Sequence, residues 1–170
     1  MKQIRGEAQT VKVLLGQKYE IDFYQREYQW ETKQILELIQ DLTDKFREGY
    51  ESGHDRPEVK KYPSYFLGSI IISEDDVKRF IVDGQQRLTS LTLLLIYLRH
   101  KQGKKPDPIL DGLIYSSDYG EKNFNLHVEE RIPYMNALFK TGEFKPTNQP
   151  ESVKTLAARY QDIKDNFPLI

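Results

Sequence analysis

The segment "KRFIVDGQQRLTSLTLLLIYLRH", residues 78–100, decides the fold, because its apolar pattern changes character around one glycine, Gly84. The run "KRFIVD" has the composition of a short β-strand, whereas the run that begins at Gln85 is apolar enough and long enough for a buried helix. The preceding run "SYFLGSIIIS", residues 64–73, is also typical of a strand, and an acidic turn separates the two runs. The segment therefore predicts a hairpin that leads into a helix from about Gln85 to His100.

Two further regions of the N-terminal half carry a readable pattern. Apolar residues recur at helical spacing from Thr32, a candidate N-cap, and stop near Gly49, so this stretch predicts an amphipathic helix. Around Gly16 the sequence fits either a short helical turn followed by a strand or a hairpin. Residues 49–63 are polar and contain glycine and proline, which predicts a loop.

The C-terminal part of the chain has a weaker pattern. A strand is predicted near residues 124–128, and helices are predicted over about 133–139 and 153–166. The stretch "KQGKKPDP" is interpreted as a break after the long helix. We therefore divide the chain into a core, residues 1–105, and a mostly helical extension, residues 106–170, which packs on the core or begins a further helical region.

Composition narrows the functional classes. The chain has 170 residues, with 25 basic and 26 acidic side chains and a net charge of -1. Such a weak overall charge does not attract nucleic acid or an anionic membrane, so any DNA contact is expected to be local or to come from another domain. The absence of cysteine excludes disulfides and thiolate chemistry. Because no apolar run is long enough to cross a bilayer, we expect a soluble, cytoplasmic protein.

The residues at the strand-to-helix junction have the chemistry of a phosphate-binding site. A helix N-terminus presents unpaired amides and the positive end of the helix dipole, which attract an anion. Gly84 allows close approach of the backbone, Arg87 can bind a phosphate through two donors, and Gln85 and Gln86 can add neutral hydrogen bonds. Asp83 could carry a magnesium ion or orient a water molecule. The alternative is structural, because Asp83 with Gln86 also fits a variant of the capping box.

The segment "IDFYQREYQW", residues 21–30, is a second candidate for ligand contact. In an extended chain Tyr24, Arg26, Tyr28 and Trp30 share one face, which places the arginine among aromatic rings. Such a face is suited to a phosphate or a nucleobase. In the alternative interpretation the aromatic rings pack on the core of the domain and Arg26 pairs with a carboxylate.

In their order along the chain, "YQREYQW", "YFLGSI" and "IVDGQQRLTSL" resemble the N-terminal, GmrS-like domain of the GmrSD-type modification-dependent restriction enzymes. The resemblance covers residues 9–100 well and "LHVEERIPYMNALFKTGEF" more loosely. It implies a fold similar to ParB and sulfiredoxin, of α+β class, in which a small mixed sheet with a phosphate-binding strand-to-helix junction is followed by helices. The family usually has proline where this chain has Asp22, and the difference loosens a turn before the "YQR" residues.

The resemblance also implies a set of site residues. The residues that would form the nucleotide-phosphate box are Asp83, Gly84, Gln85, Gln86 and Arg87. The residues that would lie beside the box are Tyr24, Gln25, Arg26, Gly68 and Ser69. Asp83 is the predicted metal ligand, and the catalytic residues would be Asp83, Gln85, Gln86 and Arg87.

The function that follows is the binding and hydrolysis of a nucleoside triphosphate with Mg²⁺, which would regulate or power the restriction of modified foreign DNA. Arg87 and Arg26 would stabilise phosphate charge, and one of the two glutamines would orient the attacking water. DNA would be contacted through additional domains or a nuclease partner. The alternatives are a module that recognises DNA phosphates or modified DNA without hydrolysis, and a domain that binds a protein partner.

Other titratable residues are assigned no catalytic role. The histidines, His54, His100 and His127, match neither an HNH arrangement nor metal-ligand spacing, so no cleavage is assigned to this chain. The charged run from Glu129 to Arg131 is predicted to be a solvated face.

Overall fold

The computed structural model describes residues 5–21, 27–75, 78–118 and 121–168. Its strands are β1 (Tyr19–Ile21), β2 (Ile71–Glu74), β3 (Arg79–Asp83), β4 (Tyr115–Asp118), β5 (Glu121–Phe124) and β6 (Leu126–His127). Its α-helices are α1 (Val11–Leu15), α2 (Thr32–Gly49), α3 (Gln85–Lys101), α4 (Pro108–Ile114), α5 (Ile132–Thr141) and α6 (Glu151–Asn166). Short 3₁₀ helices span Arg56–Lys61 and Glu129–Arg131.

Four of the described strands form one mixed sheet in the order β2-β3-β1-β6. Strands β2 and β3 are antiparallel, as predicted for a hairpin. Strand β1 runs parallel to β3, with Ile21 opposite Ile81, and also parallel to β6, with Tyr19 opposite Leu126. Strands β4 and β5 pair with each other in a separate hairpin. The predicted α+β class with a small mixed sheet is confirmed.

Helix α2 forms where its apolar spacing predicts, but it begins with a different cap. The N-cap is Glu31 and not Thr32. A capping box joins the N-cap residue to a glutamate or glutamine three residues later, and only Glu31 has a glutamine at that distance. That glutamine is Gln34, whose side-chain oxygen accepts a hydrogen bond of 3.0 Å from the Glu31 backbone N–H. The buried Ile35 and Ile39 place the apolar face of the helix against the core.

The strand before the junction is shorter than predicted. Strand β2 begins at Ile71 and not near Ser64. The reason is Gly68, whose φ of 95° lies outside the β region and interrupts an extended strand. Around Gly16 the chain forms helix α1 and then strand β1, which is the first of the two predicted alternatives.

Two other connections differ from the sequence predictions. The loop over residues 49–63 contains the 3₁₀ helix Arg56–Lys61. Helix α4 and strand β4 were not predicted, because the "PDP" sequence was interpreted only as a helix break. It is also a helix start: the Asp107 carboxylate accepts a hydrogen bond of 2.9 Å from the Ile109 backbone, and Pro108 occupies the first turn.

Helix α3 lies at the centre of the core. Its buried apolar residues are Leu88, Leu91, Leu93, Leu94, Ile96 and Tyr97. They surround the helix axis, which explains why the sequence of this helix is apolar on nearly every face. Helix α6 packs on α2 and α3, and its fully buried Val153 and Leu156 belong to the same apolar cluster as Leu93. The extension over residues 106–170 therefore packs on the earlier part of the chain, and the division at residue 105 stays a prediction.

Among the described residues no helix combines the length and the apolarity needed to cross a bilayer.

Candidate functional site

The junction between β3 and α3 has an open helix N-terminus. Strand β3 ends at Asp83, and Gly84 is the N-cap of α3, with a φ of 89° and no hydrogen bond from a described side chain to the first-turn amides. The first intrahelical bond of 3.1 Å joins the Leu88 N–H to the Gly84 carbonyl, so the amides before it have no helical partner. The alternative in which Asp83 and Gln86 form a capping box is therefore wrong.

Glycine is favoured at position 84 by its backbone conformation and also by a close contact with the Ile70 side chain. A Cβ atom at this position would lie 2.3 Å from the Ile70 side chain. A positive φ of this size also strains any residue that has a Cβ atom. The close approach of Gly84 to Ile70 fixes the hairpin against the start of α3.

The Arg87 guanidinium lies on the backbone of Gly68. A Cβ atom at Gly68 would be 3.0 Å from the Arg87 Cζ and Nη1 atoms, so a side chain at this position would require the guanidinium to shift. Arg87 Nη1 donates a hydrogen bond of 3.0 Å to the Ser69 carbonyl. The other guanidinium donors form no hydrogen bond or ion pair with the described residues. The structure thus brings Gly68, Ser69 and Arg87 together, as the sequence predicts, and leaves most of the arginine donors available.

An acidic residue of α2, Asp41, is hydrogen-bonded to a tyrosine on which the charge of this arginine acts. Asp41 accepts a hydrogen bond of 2.5 Å from the Tyr65 hydroxyl, and this bond raises the pKa of Tyr65 while the charge of Arg87 acts in the opposite direction. Tyr65 therefore stands close enough to Arg87 to sense its charge. Asp41 is hydrogen-bonded to the tyrosine and forms no ion pair with the Arg87 guanidinium.

The two glutamines of the junction have different surroundings. The Gln86 side-chain oxygen accepts a hydrogen bond of 2.9 Å from the Gln29 backbone, and its nitrogen donates one of 2.8 Å to the Glu27 carbonyl. Gln86 therefore holds the chain before α2 against the start of α3. The Gln85 Oε1 atom is buried and has no hydrogen-bond partner among the described residues.

The segment before α2 is anchored at further points. Ser90 donates a hydrogen bond of 2.9 Å to the Gln86 carbonyl, so the 2.7 Å contact between Tyr28 and Ser90 is donated by the tyrosine hydroxyl. Tyr28 is 3% exposed, and this burial raises its pKa to about 12. The Trp30 carbonyl accepts a hydrogen bond of 3.3 Å from Arg159 of α6. Of the four aromatic and basic residues predicted to share a face, Tyr28 thus belongs to the core.

Tyr24, Gln25 and Arg26, together with Asp22, lie outside the described residues. The residues on either side of them are placed at the junction: Ile21 is opposite Ile81 in the parallel pair β1 and β3, and Glu27 is bonded to Gln86. The roles of Tyr24, Gln25 and Arg26 stay predictions.

Asp83 is exposed at the end of β3, opposite Ile71 of β2. Its carboxylate forms no hydrogen bond or ion pair with the described residues. Over the ranges that the structure describes, no group of three or more histidine, aspartate or glutamate side chains could hold a metal ion. Asp83 therefore offers a single carboxylate ligand beside the open helix N-terminus.

Arg131 is a buried residue that sequence reasoning missed. It was predicted to lie on a solvated face with Glu129, but it is 4% exposed, and its Cζ atom lies 6.0 Å from the centre of the Tyr28 ring. Loss of hydration lowers its pKa to about 10. The apolar neighbours Val128 and Ile132 were the available signal, because they indicate a run that approaches the core.

A cavity of about 570 Å³ lies at the other end of strands β1 and β3. Charged side chains on its wall are paired with each other: Lys78 contacts Glu20 at 2.7 Å, and Arg79 contacts Glu74 at 2.6 Å. The described site residues do not line this cavity. We place the candidate site at the β3–α3 junction, because no described side chain caps the first-turn amides of α3 and the Arg87 guanidinium bonds to a backbone carbonyl and not to a described carboxylate.

The family comparison covers the whole region that forms this site. A family model described as the N-terminal domain of the GmrSD restriction endonuclease matches residues 11–169. No curated protein matches the chain. The matched residues include the hairpin, the junction and the helical extension. The chain therefore belongs to the family of the GmrSD restriction endonuclease N-terminal domain.

Proposed function

We propose that this domain binds a nucleoside triphosphate with Mg²⁺ at the β3–α3 junction and hydrolyses it to regulate or power the restriction of modified foreign DNA. One observation carries the proposal: the Arg87 guanidinium lies on Gly68 beside the first turn of a helix that no described side chain caps. Amides at a helix N-terminus and a guanidinium are together suited to bind phosphate oxygens. The restriction role is supported by the family to which the domain belongs.

The positive charge at the junction supports a polyphosphate ligand. Arg87 bonds to a backbone carbonyl and not to a carboxylate, so its charge is available to a ligand. Arg26, with Tyr24 and Gln25, would add to the same site, because the chain on both sides of these residues reaches the junction. Two guanidinium groups and the helix amides would then stabilise the charge that develops during phosphoryl transfer.

Asp83 would hold the Mg²⁺ ion. Its exposed carboxylate lies one residue before the N-cap of α3. A single carboxylate fits Mg²⁺, which commonly binds through one or two carboxylates, water and the phosphates of its nucleotide. When bound, the ion neutralises phosphate charge.

The contacts of the two glutamines support different roles in hydrolysis. The Gln86 amide is engaged at both ends with the backbone, so we assign it the positioning of the segment before α2. The Gln85 oxygen is a buried acceptor without a described partner, so we assign it the orientation of the attacking water. The water oxygen would form a bond to the γ-phosphorus while the bond to the bridging oxygen breaks, which yields a nucleoside diphosphate and inorganic phosphate and releases the proton of the water to solvent.

The DNA would be contacted through additional domains or a nuclease partner. The chain has a net charge of -1, and non-specific DNA affinity normally requires several lysine or arginine contacts to phosphates. A domain of this charge is better suited to control a nuclease than to hold the duplex itself.

The proposal is tested by titration calorimetry of the four nucleoside triphosphates in Mg²⁺, with phosphate release measured on the same samples. We expect Arg87→Ala to weaken nucleotide binding roughly tenfold to 100-fold, since a hydrogen bond to a charged group contributes about 1.5–3 kcal/mol. The matched control is Arg79→Ala, which removes an arginine from the other end of β3 and should leave the affinity unchanged.

Two further variants separate the proposed roles. Asp83→Asn should lower the Mg²⁺ dependence of binding, and Gln85→Ala should lower phosphate release more than affinity. Wild-type protein that binds none of the triphosphates but binds DNA through Arg87 would instead support the non-hydrolytic DNA-recognition alternative.

A further inference from the structure

Phe66 is an aromatic side chain without an evident packing role. Its side chain is 81% exposed, the highest value among the large apolar residues that the structure describes as exposed. The residues on either side are held differently, because Tyr65 bonds to Asp41 and Leu67 packs against the apolar cluster that includes Ile81. An exposed phenylalanine gains little from burial in the folded protein, so its ring is free to contact a ligand.

The position of Phe66 connects it to the candidate phosphate site. Phe66 lies two residues before Gly68, and the Arg87 guanidinium contacts the backbone at Gly68. Two residues of extended chain span at most about 7 Å, so the Phe66 backbone lies within one nucleotide length of the arginine. A nucleotide whose phosphates contact Arg87 is therefore long enough for its nucleobase to reach the neighbourhood of Phe66.

We propose that Phe66 is the stacking surface for the nucleobase of the bound triphosphate, an inference that rests on the proposed function. Stacking uses the flat face that all four bases share and does not read their edges. Phe66 therefore contributes affinity for a nucleoside triphosphate over an inorganic polyphosphate, and it contributes similarly for purines and pyrimidines.

The test compares ligands with and without a base. Calorimetry is performed on wild type and Phe66→Ala with ATP, GTP, CTP, UTP and inorganic tripolyphosphate, each with Mg²⁺. We expect Phe66→Ala to weaken all four nucleotides by roughly 5-fold to 100-fold, the range that base stacking on an aromatic side chain supplies. The affinity for tripolyphosphate should stay the same.

Three variants control for the structural effect of the change. Phe66→Trp should retain nucleotide affinity because it keeps an aromatic face, whereas Phe66→Leu should lose it although it keeps an apolar side chain. Tyr50→Ala removes a different aromatic ring, which is half-exposed at the end of α2, and should leave nucleotide binding unchanged.

The outcomes separate this inference from the function on which it rests. If wild type binds neither nucleotides nor tripolyphosphate, the proposed function fails and the stacking role fails with it. If wild type binds nucleotides and Phe66→Ala binds them equally well, only the stacking role is overturned. An equal loss of nucleotide and tripolyphosphate affinity would also overturn it, because the residue would then act on the phosphate site.

Discussion

At the residue scale, alanine substitutions at two glycines, Gly68 and Gly53, separate the cost of backbone strain from the effect of the contact with Arg87. Gly68 has a φ of 95° and Gly53 has a φ of 94°, so alanine is strained to a similar degree at both positions. A Cβ atom at Gly68 would meet the Arg87 guanidinium at 3.0 Å, whereas a Cβ atom at Gly53 has no neighbour within 4 Å. The pair therefore isolates the effect of displacing the arginine.

We predict that Gly68→Ala weakens nucleotide binding by roughly tenfold, which corresponds to about 1.4 kcal/mol, because the guanidinium must shift away from the added methyl group. Gly53→Ala should leave binding unchanged. Both variants should lose about 1–2 kcal/mol of unfolding free energy to the left-handed backbone. Calorimetry and urea unfolding measure the two quantities, and equal nucleotide affinities in the two variants would contradict the role of the Gly68 contact.

At the element scale, the first turn of α3 organises the chain that precedes α2. Gln86 bonds to Gln29 and to Glu27, whereas the neighbouring Gln85 oxygen has no described partner. Gln86 therefore holds the segment before α2 against α3, whereas the preceding Gln85 has a side-chain oxygen without a described partner.

We predict that Gln86→Ala lowers the unfolding free energy by about 1–3 kcal/mol, since each of its two hydrogen bonds contributes about 0.5–1.5 kcal/mol. Hydrogen exchange of the Gln29 amide should accelerate, because that amide donates to the Gln86 side chain. Gln85→Ala is the control and should change neither stability nor this exchange rate. A Gln29 amide that exchanges equally in the two variants would contradict the positioning role.

The elements differ in how well the sequence predicts them. Helix α2 was predicted because its apolar residues recur at helical spacing, whereas α3 was predicted because its apolar run is long enough for a buried helix. The hairpin before α3 was predicted from two strand-like runs that an acidic turn separates. The start of β2 was not, because a single sequence does not reveal the φ of 95° at Gly68. The contacts of Gln86 were also missed, since they join residues 57 and 59 positions apart in the chain. Arg131 was misplaced for a related reason, because its burial follows from distant neighbours such as Tyr28.

At the scale of the whole molecule, the extension over residues 106–170 is built into the sheet and the apolar packing. Strand β6 is hydrogen-bonded beside β1, and α6 contacts both α2 and α3. The Arg159 guanidinium donates to the Trp30 carbonyl, which joins the extension to the segment that Gln86 holds. The sequence division at residue 105 thus separates parts that contact each other. Whether they form one unit is tested by measuring if both parts unfold in a single cooperative transition.

Trp30, the single tryptophan of the chain, lies within residues 1–105, whereas Leu156 belongs to the extension. Leu156 is 0% exposed, and Trp30 packs against the cluster that contains it. We predict that Leu156→Ala lowers the unfolding free energy measured by Trp30 fluorescence in urea by about 2–5 kcal/mol, the range for a buried leucine. Ile109→Ala, which shortens a half-exposed side chain of the extension, should lower it by much less. If Leu156→Ala lowered the midpoint measured by circular dichroism and left the Trp30 midpoint unchanged, the two parts would unfold independently, and the division at residue 105 would be a true domain boundary.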